Sequence, residues 1–157
     1  MLQTQSLTFS YDQDNQFQFP DIDCMKGSQW LLLGESGSGK TTLLHLLGGL
    51  RKPQGGKIVI HDQDITRLTG PALDHFRGQH IGIIFQQSHF VKALSIKENL
   101  ELARTLAGLP VVDLRIQQLL DRLNIGTKGE VRPHHLSVGE QQRASIARAL
   151  VKEPDII

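Results

Sequence analysis

Apolar and polar residues alternate over positions 2–11, with Leu2, Leu7 and Phe9 among the apolar ones. A period of two predicts an exposed or edge β-strand there. Positions 30–33, Trp-Leu-Leu-Leu, are apolar without a break, which is the pattern of a short strand buried on both faces. They lead directly into the glycine-rich stretch GESGSGKTT at 34–42, and positions 41–50 then take a helical pattern that stops at Gly48-Gly49. Positions 57–60 and 81–85 read as two more strands.

Further along the period lengthens. Ser95 followed three residues later by Glu98 is a capping box, and Ile96, Leu100, Ala103 and Ala107 fall on one helical face. Gly108 and Pro110 close that helix. A second helix is predicted over 112–123, with Val112, Ile116, Leu119, Leu120 and Leu123 on one stripe. A third, over 138–152, carries Ala144, Ala147 and Val151 as a narrow face suited to close packing. Pro154 ends it, and positions 155–157 begin another apolar, buried strand. Strand, glycine loop and helix, followed by further strands and helices, predict an α/β domain. The helices between 95 and 123 interrupt that alternation and predict a helical subdomain.

Bulk composition narrows the class. A chain of 157 residues suits one domain with a core, and 39% hydrophobic against 21% charged residues argue against disorder. A formal charge of +1 gives no general attraction to nucleic acid or anionic lipid. Any phosphate binding must therefore come from a local site. Arg51, Lys52 and Lys57 are scattered without interleaved aromatic residues, so no nucleic-acid groove is expected. The single Cys24 has no internal partner, which suits a reducing compartment. No basic start and apolar block mark a signal peptide. The longest apolar stretch, 43–50, is broken by His45 and two glycines and is far too short to span a bilayer. The reading is a cytoplasmic protein that reaches a membrane, if at all, through a partner. Adjacent His134 and His135 lack the spacing of metal ligands and read as a solvated loop.

Gly34, Glu35, Ser36, Gly37, Ser38, Gly39, Lys40, Thr41 and Thr42 match the phosphate-loop pattern G-x-x-x-x-G-K-[ST] in full. Glycines let the backbone curl so that successive N–H groups face an anion. The helix that follows adds about half a positive charge at its N-terminus. Lys40 supplies a point charge for the β- and γ-phosphates, and Thr41 a hydroxyl for Mg²⁺. The loop alone does not separate an ATPase from a GTPase or a kinase.

A second motif separates them. Leu136-Ser137-Val138-Gly139-Glu140-Gln141-Gln142-Arg143, followed by ASIARAL, resembles the signature motif and ensuing helix of ABC-family ATPases. The glutamate in fifth place is the form of the lipoprotein-release and macrolide-export types. Ser137 offers a hydroxyl and Gly139 an unencumbered N–H, both at a helix start that favours anions. Ser137 with Glu140 also forms a plain capping box, and a cap and a ligand site can coexist. Val138 departs from the glycine usual in the family; a β-branched residue there requires ordinary helical geometry or a slightly altered loop.

The resemblance carries further implications. Gln86, in IIFQQ, is similar to the Q-loop glutamine that contacts Mg²⁺ or the attacking water, and Tyr11 is similar to the aromatic residue that stacks on adenine. ATP and Mg²⁺ are the implied ligands, and Ser137, Gly139 and Glu140 are implied to face the γ-phosphate held by another molecule. The implied fold is the P-loop NTPase core of ABC-ATPase type, with an antiparallel N-terminal β portion. Positions 1–157 form one domain, divided into a nucleotide-binding core (1–86), a helical subdomain (87–135) and the signature motif, its helix and the start of the Walker B strand (136–157). The implied activity is ATP hydrolysis coupled to transport. The implied partners are a separate membrane permease and a second ATP-binding domain in a head-to-tail dimer, at the inner face of the cell membrane. A soluble ABC-type ATPase and a non-catalytic nucleotide-binding fragment remain as alternatives.

The family's Walker B aspartate and catalytic glutamate would follow Ile157. Glu153 and Asp155 precede that strand and lie at the wrong end of it, since ligands gather at the carboxyl ends of parallel strands. Weak hydrolysis and reduced stability are therefore expected of these residues alone, as for an incomplete chain.

Overall fold

The computed structural model describes residues 1–12 and 16–157. It divides into two units, Met1–Leu73 and Asp74–Ile157.

The first unit is built on β1 (Leu2–Ser10), which is central rather than an edge. Along one side it pairs antiparallel with β4 (Gly55–Ile60), from Leu2 opposite Ile60 to Thr8 opposite Gly55. Its other side takes β2 (Gln16–Gln18) at one end and β3 (Asp23–Cys24) at the other, both antiparallel. Strand β5 (Gln63–Asp64) extends the sheet beyond β4. The edge expectation for 2–11 is thus corrected. Threonines 4 and 8 supply the alternation, but Thr4 is itself buried, its hydroxyl accepting from the Ile22 N–H at 2.8 Å. Helix α1 (Lys40–Leu47) ends at the predicted Gly48-Gly49 pair, where Gly49 has φ +63°. Leu7, Leu46, Ile58 and Ile60 are fully enclosed and, with Leu43, Ile65 and Phe19, form this unit's core.

Residues 30–33 do not form the predicted buried strand. They lack regular structure, and Leu31 and Leu33 are 80% and 78% exposed. A strand exists only through its ladder bonds, and no strand among the described residues pairs with this run. Apolar continuity signals burial between two neighbours without supplying them.

Helix α2 (Gly70–His80) crosses the boundary between the units and was absent from the pattern reading because it buries no residue completely. The second unit is helical: α3 (Ile96–Leu106), α4 (Asp113–Arg122) and α5 (Val138–Leu150). The capping box at Ser95 is made in full, with Glu98 Oε2 accepting the Ser95 N–H at 2.6 Å and Ser95 Oγ accepting the Glu98 N–H at 3.2 Å. Ile96, Leu100, Ile116, Leu120, Ile125, Leu136, Ala144, Ala147 and Val151 form one continuous core. Buried Arg104 ties α3 to what surrounds it, donating to the carbonyls of Pro110 (2.7 Å) and Val151 (2.5 Å).

Predicted strand 81–85 is reduced to one parallel bridge, Ile81 with Ile156. The Gly82 N–H donates to Ile156 O at 2.7 Å, and the N–H groups of Asp155 and Ile156 both reach His80 O. The start of a strand after Pro154 is therefore present, as a two-sided junction rather than a ladder.

Candidate functional site

The loop 34–42 is shaped by two left-handed glycines. Gly37 has φ +82°, and Gly39, the N-cap of α1, has φ +87°. A side chain at either position would be strained. At Gly39 it would also collide, because a Cβ would lie 2.7 Å from Phe17 Cδ1 and 3.2 Å from Phe19 Cε1. The stacked rings of Phe17 and Phe19, 5.9 Å apart, thus form an aromatic floor against which the loop turns into the helix.

Lys40 folds back over the loop. Its Nζ donates to Gly34 O at 2.8 Å and Glu35 O at 2.5 Å, with Ser38 Oγ at 3.4 Å. The ammonium is held at the loop's concave side by carbonyls rather than by a carboxylate, so its positive charge is not cancelled. Thr41 is exposed at the start of α1, and the Thr42 hydroxyl beside it is 3.0 Å from Tyr11 Oη. Tyr11 stands edge-on to Phe9 and Phe17, half exposed, just past the end of β1. Within the first unit Tyr11 thus meets the end of the loop 34–42 at Thr42.

Gln86 and the signature residues belong to the second unit. Gln86 is exposed at a bend. The segment just after it is fastened to α5: Ser145 Oγ donates to Ser88 Oγ at 2.9 Å, and Arg148 bonds His89 O while lying 4.7 Å from the Phe90 ring centre. On its other flank Asn99 Oδ1 accepts the Val91 N–H at 2.9 Å, and Asn99 Nδ2 donates back to Val91 O at 3.1 Å. Hence the Gln86 bend and the signature helix share one anchored framework. Pattern reading missed Ser88, Asn99, Ser145 and Arg148; the one signal was a polar residue, Ser145, set within the apolar face of α5.

Ser137 caps α5 and Glu140 completes the box. Glu140 Oε2 accepts the Ser137 N–H at 2.8 Å and its hydroxyl at 2.9 Å, while Ser137 Oγ accepts the Glu140 N–H at 3.3 Å. Lys128 adds an ion pair at 3.2 Å. Val138 takes ordinary helical geometry as the first residue of α5, 83% exposed, which settles its departure from glycine in favour of the helical alternative. Gly139 lies open in that first turn, where helix geometry leaves N–H groups unpaired.

Three donors into one carboxylate depress its proton affinity. The backbone N–H of Ser137 contributes most, then its hydroxyl, then Lys128, and together they hold Glu140 down at about 2, against an ordinary 4.5. An unfolded chain takes this proton first as pH falls. The cap's contribution to stability is therefore complete above about 4.5 and is lost as pH drops through about 2. In a carboxyl carbon NMR titration Glu140 should titrate near the lower value, and Ser137→Ala or Lys128→Met should each raise it. A titration at the ordinary glutamate position, about 4.3, would contradict the cap geometry.

Comparison with known proteins bears directly on these motifs. The ABC transporter family model matches residues 18–157. The lipoprotein-releasing system ATP-binding protein LolD of Chromohalobacter salexigens is 37% identical over 87% of this chain and 59% of its own length. An uncharacterised ABC transporter ATP-binding protein of Mycobacterium bovis is 41% identical over 87% of this chain and 42% of its own. The macrolide export ATP-binding/permease protein MacB 1 of Aeromonas hydrophila is 40% identical over 87% of this chain and 22% of its own. Among solved structures, the dimeric ABC transporter cassette MJ0796 superimposes with a TM-score of 0.88 at 28% identity, covering 98% of this chain and 71% of that one. The chain thus spans roughly half the length of LolD and of the M. bovis relative. With the phosphate loop and the Ser137-capped signature helix both formed, the chain belongs to the ABC transporter ATP-binding family.

Proposed function

We propose that this chain is the ATP-binding part of an ABC-type membrane transporter, working at the inner face of the cell membrane with a separate permease. One observation supports this above the others. A single chain carries two phosphate-directed helix starts, the loop 34–42 entering α1 and Ser137–Gly139 entering α5. One triphosphate does not need both from the same molecule, so the second is read as serving a partner's nucleotide in a head-to-tail dimer. MJ0796, one solved relative, was solved as a dimer.

Each side chain has a role in this reading. The amides around Gly37 and Gly39 and the N-terminus of α1 hold the phosphate chain. Lys40 exchanges its loop carbonyls for β- and γ-phosphate oxygens. Tyr11 stacks on the adenine. Thr41 fits Mg²⁺, a hard cation held by few protein oxygens together with substrate phosphates; it is exposed at the helix start, and Gln86 is assigned to the ion only on its likeness to the family's Q-loop glutamine. When bound, the ion would supply charge neutralisation between the phosphates. Ser137 currently gives its hydroxyl proton to Glu140, so engagement with a γ-phosphate requires that proton to turn outward while Lys128 continues to balance the carboxylate.

Neither Glu153 nor Asp155 is read as the carboxylate that polarises the attacking water. Glu153 is ion-paired with Arg115, and Asp155 Oδ2 is hydrogen-bonded to His80 Nδ1 at 2.7 Å.

Sedimentation of the protein with and without saturating Mg-ATP tests the reading. A nucleotide-dependent dimer that is lost in Ser137→Ala, with Mg-ATP still bound, is the expected result. A monomer at saturation, or a dimer indifferent to Ser137, would overturn the shared-site reading.

A further inference from the structure

The chain at the exit of α1 returns to the aromatic row of the first unit. The Arg51 N–H donates to His45 O at 3.2 Å, and the Gln54 N–H to Thr8 O at 2.9 Å, which pins the segment between them beside β1. From there the Arg51 guanidinium reaches over two rings, 4.8 Å from the Tyr11 centre and 5.6 Å from that of Phe9. Tyr11 is held elsewhere by Thr42 at its hydroxyl and by Phe9 edge-on, yet half of it remains open.

We propose that Arg51 is a positioning residue for the adenine base, clamping one face of Tyr11 so that the base completes a three-layer stack on the ring's open surface. This deepens the proposed function and rests on its assignment of Tyr11. A cation over an aromatic face is attracted by the ring's quadrupole and draws its electron density. The ring is then fixed in orientation, and its exposed surface is less negative toward an electron-rich purine. An exposed tyrosine without that clamp would have to give up rotamer freedom when the base arrives. Arg51 was read from the sequence only as one of several scattered basic residues; no spacing rule connects it to Tyr11, forty residues earlier.

Calorimetric titration with two probes, Mg-ATP and Mg-tripolyphosphate, separates base recognition from attraction to the phosphates. Arg51→Met should weaken Mg-ATP about two- to fivefold, the range of an exposed cation–ring contact, and leave tripolyphosphate unchanged. Arg51→Lys, keeping the charge on a flexible stem, should recover part of the loss, and it serves as the test variant if the methionine form does not fold. In a Tyr11→Ala background Arg51→Met should cost nothing further. Equal weakening of both probes, or the same loss with Tyr11 absent, would make Arg51 a phosphate-attracting charge and overturn the proposal. Should Tyr11→Ala leave the ratio of the two affinities untouched, the stacking assignment beneath it fails as well.

Discussion

Lys40→Met will lower affinity for Mg-ATP by about 10- to 150-fold, the equivalent of one hydrogen bond to a charged group at about 1.5–3 kcal/mol. The expectation follows from what the ammonium touches. It is held by the carbonyls of Gly34 and Glu35, partners that a phosphate oxygen outcompetes because theirs is a dipole and the phosphate's a full charge. Those bonds are exposed, so their loss should move the melting temperature little. Lys40→Arg should not restore binding fully, since a planar fork cannot occupy the place of a compact ammonium inside the curl of the loop. Equilibrium titration with a fluorescent ATP analogue reads all three proteins. Affinity within twofold of the parent in Lys40→Met would mean that the amides bind the phosphates unaided.

The other large effect lies in the helical unit. Leu100→Ala should cost about 2–5 kcal/mol, because it removes a fully enclosed side chain from the core of the helical unit. Against a typical total of about 5–15 kcal/mol this is a large fraction. Its consequence reaches the signature motif. Ala144, Ala147 and Val151, which share that core, fix α5, and α5 carries Ser137 at its first turn. Urea unfolding followed by circular dichroism should show a lowered midpoint at unchanged slope. Leu100→Met, conserving volume, should cost less than about 1.5 kcal/mol. A midpoint unmoved by the alanine substitution would contradict the packing.

Legibility from sequence followed the range of the forces involved. Local signals were read correctly: the capping boxes at Ser95–Glu98 and Ser137–Glu140, the glycine stop at 48–49 and the loop 34–42 depend on residues within a few positions of one another. The faces of α3 and α5 were equally clear, because helical spacing alone decides which side chains meet a core. What failed was pairing. Residues 30–33 and 81–85 have the composition of buried strands, but a strand is defined by neighbours distant in sequence, and only Ile81 found one. The centrality of β1 was hidden for the same reason; its neighbours β2, β3 and β4 are spread from Gln16 to Ile60. Helix α2 went unseen because it lacks a buried stripe, although Pro71 just inside its start was a usable sign. At the candidate site, the motif residues are legible in the sequence and their supports are not. Arg51, Lys128, Ser88 and Arg148 act through contacts 12 to 59 positions away, for which no periodicity exists.

The backbone of residues 34–42 is expected to grip a triphosphate. Amide nitrogen–proton NMR spectra recorded during titration with Mg-ATP test it residue by residue. The largest shifts should fall on Gly37, Gly39, Lys40 and Thr41, saturating together, with inorganic tripolyphosphate moving the same four amides. If ATP binds while those amides stay in place and others move, the loop is not the phosphate site.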